Sequence, residues 1–350
     1  MSRMAPHTSQ AGHGHAHGHG HGHGHGSARP GGVTAKESVA LTGHVTRLSV
    51  ALASALVVAK GVAWIASGSV GMLASLGDSA LDLVAALTTF FAVRYAVAPP
   101  DAEHRFGHGK AEAFASLMQA GLVFASAAVI TQEAVGRILH PQPVESELYG
   151  VAVLIASSVA VGGLVWQQSR VLSQTGSVAI HGDRAHYLAD LVCNIAALVG
   201  LVGVMIFREP RIDAVAGLVV AGWLVWGAIN VFRDASAQLM DRELDEEDRE
   251  TILRLAADDP QVRGVHQLRS RASGPFVHLQ MHMELDPALS LEAAHRIVVA
   301  AERRILAQFP AADILIHPDP DGRAEPHGGA FPEVYAPLSD GDVAGDGPAA

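Results

Sequence analysis

Six apolar stretches, near 44–66, 71–97, 113–138, 149–170, 178–206 and 212–233, organise the first two-thirds of the chain. Each is long enough to cross a hydrocarbon layer of ~30 Å as a helix, which takes about 20 residues. An even number of crossings puts both ends of the bundle on one side. Gly and Ala recur throughout these stretches, as suits helices that must approach closely in lipid. Beyond residue 240 the pattern changes. LDEEDRETILRLAADD sets Ile252, Leu253, Leu255 and Ala256 behind an acidic start, the mark of an amphipathic helix. In PFVHLQMHMELD, Val277, Leu279, Met281, Met283 and Leu285 alternate with His278, Gln280, His282 and Glu284, so a strand with one buried face is expected and His278 falls on its exposed side. Leu291, Ala294, Val298, Ala301 and Ile305 form a helical stripe, and DILIH a last short strand. The order helix, strand, strand, helix, strand predicts a small two-layer α+β domain. The fold class expected is an α-helical membrane protein, a six-transmembrane-helix bundle with a small α+β C-terminal domain.

Four segments follow: a disordered His/Gly-rich arm over 1–40, a membrane domain over 41–240, the α+β domain over 241–320, and a disordered acidic tail over 321–350. In the arm, His and Gly alternate from His13 to His25 with Ala16 as the interruption. Such a sequence cannot build a core. It reads as a metal-collecting arm, against the alternatives of a purification tag or a neutral tail. The first apolar run begins about forty residues in and lacks a short h-region with a cleavage site, so no removable signal peptide is expected.

Composition fits this division. The chain has 350 residues, 49% of them hydrophobic and 17% charged, with a mean hydropathy of +0.25. Arg29, Lys36, Arg47, Arg94, Arg105, Lys110, Arg170, Arg184, Arg233 and Arg242 lie on the side of the termini, against Arg137, Arg208 and Arg211 on the other. The positive-inside rule makes the termini cytoplasmic. The net charge of −11 argues against a nucleic-acid partner. Cys193 is the single cysteine, which excludes an intrachain disulfide framework and a thiolate-rich zinc knuckle. Any metal chemistry must rest on His and carboxylate.

That chemistry is present inside the apolar runs. Asp78 and Asp82, and His186 and Asp190, are two i,i+4 pairs, each projecting from one helix face. Ionisable groups at membrane depth are costly and mark ion pathways. Three carboxylates and an imidazole suit a tetrahedral divalent metal, zinc or cadmium ahead of manganese. The competing reading is a set of polar residues bonding helices together, which two such pairs make weaker. A second cluster, Asp101, His104 and His108, lies in the hydrophilic turn PPDAEHRFGHGKAEAF and has spacing for one ion, or for a solvated loop. His266, His282, His295, His317 and Asp319 are dispersed over the α+β domain, where each histidine is a surface residue by default. Lys60 is read as snorkelling to the interface rather than offsetting acidic charge, and Cys193 as a packing residue.

GSVGMLASLGDSALDL, HRFGHGKAEAFA, HYLAD, LMDRELDEE and HPDPDG together resemble the cation diffusion facilitator family, on its bacterial zinc and ferrous-iron efflux branch, over about residues 40–320. The resemblance implies that Asp78, Asp82, His186 and Asp190 form the transport site. It likewise implies that Asp101, His104 and His108 form a loop site, and that His266, His282, His295, His317 and Asp319 form a two-ion site near a dimer contact in a metallochaperone-like domain. Lys110 and Asp241 correspond to a charge pair at the junction of the two parts. The function implied is efflux of a divalent cation, most simply Zn2+ but also Cd2+ or Fe2+, by metal/proton antiport across the bacterial inner membrane. The protein is then no enzyme, and no H-E-x-x-H pattern occurs. It has no prosthetic group, Zn2+ or a similar cation being substrate and regulator. Its partners are metal ions, protons, the lipid bilayer and a second copy bound through the C-terminal domain. The alternative is a membrane-bound metal sensor or storage protein without translocation.

Overall fold

The computed structural model describes residues 31–67, 70–139, 148–207 and 211–322. Most of the expected His-Gly arm and nearly all of the acidic tail lie outside the described residues. Six long helices come first: α1 (Ala35–Ser67), α2 (Val70–Ala96), α3 (Ala111–Leu139), α4 (Leu148–Thr175), α5 (Val178–Phe207) and α6 (Arg211–Leu239). Among the described residues, four segments qualify as membrane spans by length and apolarity alone: Ala35–Ala66, Ser75–Ala96, Ala111–Leu139 and Ala214–Leu239. Helices α4 and α5 have matching lengths, and α5 packs against α2, α3, α4 and α6.

Helix α1 starts before the expected boundary at 41. Its start is fixed by a capping box: the Glu37 amide donates to Thr34 Oγ1 at 3.2 Å, and Glu37 Oε2 accepts from the Thr34 amide at 3.1 Å. That satisfies amides the helix leaves unpaired. Close packing between α3 and α5 depends on Gly182, where an added Cβ would lie 2.9 Å from the Ser116 Cα. Apolar side chains such as Val58, Phe91, Val129, Val159 and Val219 point outward and exposed, as lipid-facing residues should.

The C-terminal part runs α7 (Glu246–Ala256), β1 (Val262–Ser273), β2 (Phe276–Leu285), α8 (Leu291–Gln308) and β3 (Ala312–Pro320). Its sheet has the order β1-β2-β3, the first pair antiparallel and the second parallel. The expected face of β2 is buried: Val277, Leu279, Met281, Met283 and Leu285 pack on Ile252, Val298, Ala301 and Ile305. Leu291 departs from the expected stripe and is 83% exposed, because the helix begins there and its inward face starts at Ala294 and Ile297. Ser290 caps this helix, its hydroxyl accepting from the Ala293 amide.

Strand β1 carries a bulge that matters for the polar face. His266 pairs with His282 and Arg269 with Gln280, so three steps on β1 match two on β2. The extra residue is absorbed at Gln267, in the left-handed region at φ 53. Without it, His266 and Arg269 would face opposite sides of the sheet.

Candidate metal centres

Within the helical bundle, donor atoms of Asp82, His186 and Asp190 lie within 4.8 Å of one another. His186 Nε2 is 3.1 Å from Asp82 Oδ1 and 3.8 Å from Asp190 Oδ2. The i,i+4 spacing on α5 sets His186 and Asp190 one turn apart, and α2 supplies Asp82 opposite. Asp78 lines the same cavity, of about 400 Å³, but stands outside the close triplet. His186 is buried, while Asp82 and Asp190 are partly open to the cavity.

Two neighbours correct or extend the sequence reading. Lys60 does not snorkel. Its Nζ donates to Ser79 Oγ at 2.7 Å and to the Ser75 carbonyl at 3.2 Å, at the wall of the cavity that holds the carboxylates. Asp183, one turn before His186 on α5, was not singled out by spacing. Its carboxylate accepts from Ser49 Oγ and Gln168 Nε2, each at 2.8 Å, and from Gln119 Nε2 at 3.4 Å. It thereby joins α1, α3 and α4 to the ligand helix. An acidic residue on the face shared with His186 was the available signal. Cys193 packs with Val123, Ala189 and Leu224, as expected of a small hydrophobe.

The loop between α2 and α3 gathers Asp101, His104 and His108. Asp101 Oδ1 lies 3.3 Å from His104 Nδ1, and Oδ2 lies 3.2 Å from His108 Nε2. The His104 and Glu103 amides also donate to Asp101 Oδ1, so the loop is pre-folded around its carboxylate. The hydrogen bond from the His104 amide is the chief reason that the Asp101 carboxyl is held below its ordinary range. Gly107, at φ 80, makes the turn between the histidines. At Gly109 any Cβ would collide with the Ser273 carbonyl, so the loop seats its backbone on the β1–β2 turn. Phe106 seals this contact. The Arg271 guanidinium stacks 4.9 Å from its ring centre, and His278 meets it edge-on at 5.9 Å. His278 is therefore buried, not exposed as its strand position implied, and its Nδ1 lies 3.1 Å from Asp313 Oδ2.

In the α+β domain, register builds what spacing could not. His266, His282 and His317 occupy one row across β1, β2 and β3. Asp319 is buried and reaches all three. Its Oδ2 is 2.9 Å from His282 Nδ1 and 3.6 Å from His266 Nε2, and its Oδ1 is 3.3 Å from His317 Nε2. Glu284, whose alternation in β2 marks it only as polar, lies 3.4 Å from His266 Nδ1. His295 is not brought into this row. It is exposed on α8, in the helical layer on the other face of the sheet.

The two parts are clamped at their junction. Lys110 Nζ lies 3.0 Å from Asp241 Oδ1, and Arg271 Nη1 lies 3.1 Å from Asp241 Oδ2. Burial acts to raise the Asp241 carboxyl, but hydrogen bonds and charge from Lys110 and Arg271 outweigh it and hold the group below its ordinary range.

Residues 46–240 match the family model for the cation efflux transmembrane domain, and residues 244–321 match that for the cation efflux protein cytoplasmic domain. The cation-efflux pump FieF of Shewanella oneidensis is 40% identical over 79% of this chain and 93% of its own length. FieF of Klebsiella pneumoniae is 38% identical over 80% of this chain and 93% of its own, and FieF of Cronobacter sakazakii 38% over 77% and 89%. Both halves are matched in order, and the identity runs through the bundle and the domain beyond it: the chain belongs to the cation efflux family, the cation diffusion facilitators.

Proposed function

We propose that this protein exports divalent transition-metal cations, zinc foremost, across a bacterial inner membrane in exchange for protons, with both termini cytoplasmic. The observation that carries the reading is the triplet Asp82, His186 and Asp190 inside the bundle. Zn–N and Zn–O bonds of about 2.0–2.2 Å at tetrahedral angles place neighbouring donors roughly 3.3 Å apart. The His186–Asp82 and His186–Asp190 separations of 3.1 and 3.8 Å bracket that edge length. Asp78, on the wall of the same cavity, is the fourth donor of the set. The bacterial relatives, all cation-efflux pumps, support the direction of transport.

Moving a cation outward against an inside-negative potential costs about 2.3 kcal/mol per charge per 100 mV, and a divalent ion doubles that. A coupled proton gradient offsets the cost. The ligands themselves link the two ions, since imidazole and carboxylate bind metal only when deprotonated. In this reading cytoplasmic metal displaces protons from the quartet, the bundle rocks outward, metal leaves, and external protons take its place. The loop triplet and the histidine row are regulatory metal sites. The row, within the domain through which two copies associate, draws a homodimer into its transport-competent form.

Purified protein in proteoliposomes, loaded with a proton gradient and a panel of divalent metals, tests this. Zinc influx with matching proton efflux is expected, and both vanish in Asp82→Ala. Zinc binding without any exchange of zinc for protons overturns transport in favour of a sensor or store. Flux indifferent to the proton gradient overturns antiport.

A further inference from the structure

Lys60 is the one basic residue among the described residues that line the intramembrane cavity, which it shares with Asp78, Asp82 and Asp190. Burying a lysine head group in a bundle is costly without a partner. Its bonds to Ser79 Oγ and the Ser75 carbonyl are to neutral acceptors, and neither cancels its charge. Charge compensation has to come from the carboxylates across the cavity. The tether on α2 holds the ammonium at the wall of the cavity that Asp78, Asp82 and Asp190 also line.

We infer that Lys60 is a resident counter-cation that matches the cavity to divalent cargo and weakens its grip enough for release. The inference rests on the reading of Asp78, Asp82, His186 and Asp190 as the transport site. Three carboxylates with a neutral imidazole carry three negative charges. A divalent ion leaves one of these uncompensated, and Lys60 supplies the missing positive charge. The groups lining a loaded cavity then sum to neutral, the state that crosses a low-dielectric bundle with least cost; Asp183 stands off the cavity wall, held by Ser49, Gln119 and Gln168. A monovalent ion leaves it negative and a trivalent ion leaves it positive. Because like charges repel, the same ammonium raises the dissociation constant for metal and speeds its departure. Lys60 is in this sense a specificity-determining residue that touches no metal.

The test uses the full chain in proteoliposomes, with zinc uptake measured against concentration at fixed proton gradient. Lys60→Gln keeps donors for Ser79 and the Ser75 carbonyl but removes the charge. Its KM for zinc is expected to fall roughly tenfold, the scale of one unit charge across a partly wet cavity, while the maximal rate falls several-fold. Lys60→Arg keeps the charge and is expected to restore both values to near wild type. Ser79→Ala acts in the opposite direction. It frees the ammonium to lean toward the acids, and KM is expected to rise several-fold. Ser79→Ala keeps the inference testable if Lys60→Gln does not fold. An unchanged or raised KM in Lys60→Gln overturns it, since a strut between α1 and α2 gives that result; so does an unchanged KM in Ser79→Ala. Asp82→Ala separates the two levels of the argument. Flux that survives Asp82→Ala removes the transport site itself, whereas Asp82-dependent flux with an indifferent Lys60 removes only the counter-cation.

Discussion

The membrane bundle and the α+β domain each gather His and Asp into a tight cluster, but they do so by different means. In the bundle, one turn of α5 places His186 and Asp190 together and α2 brings Asp82 to meet them. In the sheet, no two of His266, His282 and His317 are near in sequence. Pairing across three strands, with a bulge at Gln267, aligns them over Asp319. The surroundings differ as much as the scaffolds. The helical cluster lies among apolar helices, where charge is expensive. The sheet cluster has His317 half exposed at the edge. On the function proposed above, the same donors suit cargo in one place and sensing in the other.

Removing an intramembrane ligand gives the largest contrast. His186→Ala is expected to lower zinc transport by more than about 100-fold, beyond the roughly 10–100-fold that loss of a mere outer partner costs. Vesicle flux measures it. The variant should still fold and still bind zinc in its α+β domain. A substantial residual flux would mean that the cluster holds helices together and carries nothing.

The matching change in the sheet, His282→Ala, takes away the centre of the histidine row. Zinc bound per protomer should fall in equilibrium dialysis, and transport at limiting zinc should drop roughly five- to tenfold, the low end of ordinary coupling between sites. At saturating zinc the loss should shrink. A loss as complete as that of His186→Ala would erase the division between cargo and regulatory sites.

How far each region was legible in the sequence follows from the same contrast. Helical periodicity is local, so the spans, the i,i+4 pairs and the buried stripe of β2 could be read directly. What the sequence hid were the results of register and long-range packing. Gln267 looks ordinary in a strand, yet its bulge decides the face of His266. His278 alternates with buried residues and should be exposed, but Phe106 from the α2–α3 loop covers it. Lys60 carries no local sign that it points to Ser79 rather than to the interface. Thr34 and Glu37 did carry a sign, a capping box that places the start of α1 ahead of its apolar run.

The junction offers a smaller effect with a defined pH dependence. Asp241 is held below its ordinary carboxylate range in the folded protein. A group so depressed contributes stability that is present above its unfolded value and lost as pH falls through the folded one. The clamp on Lys110 and Arg271 should thus be constant from pH 8 to pH 5 and weaken only below about pH 4. Asp241→Asn should cost less than about 1 kcal/mol, since the pair is more than a third exposed and screened. Thermal unfolding of the two proteins across pH checks this. A difference that changed between pH 5 and 8 would have to come from histidines nearby, not from Asp241.

His295 provides the smallest expected effect and the sharpest limit on the sheet site. It belongs with the histidine row by family resemblance, yet α8 carries it exposed on the opposite layer. The row already presents three imidazoles and Asp319 within one protomer, with Glu284 beside His266. If the row is complete in itself, His295→Ala should leave zinc bound per protomer unchanged and transport within about twofold, since an exposed substitution away from a site usually shifts stability by under about 0.5 kcal/mol, itself a factor of about two. A loss of zinc equal to that of His282→Ala would require a donor from outside the protomer's own row. Since no rearrangement of one domain moves α8 across its sheet without dismantling the core around Ile297 and Val298, that donor would have to come from a second copy of the chain, and the site would then bind metal only as the dimer forms.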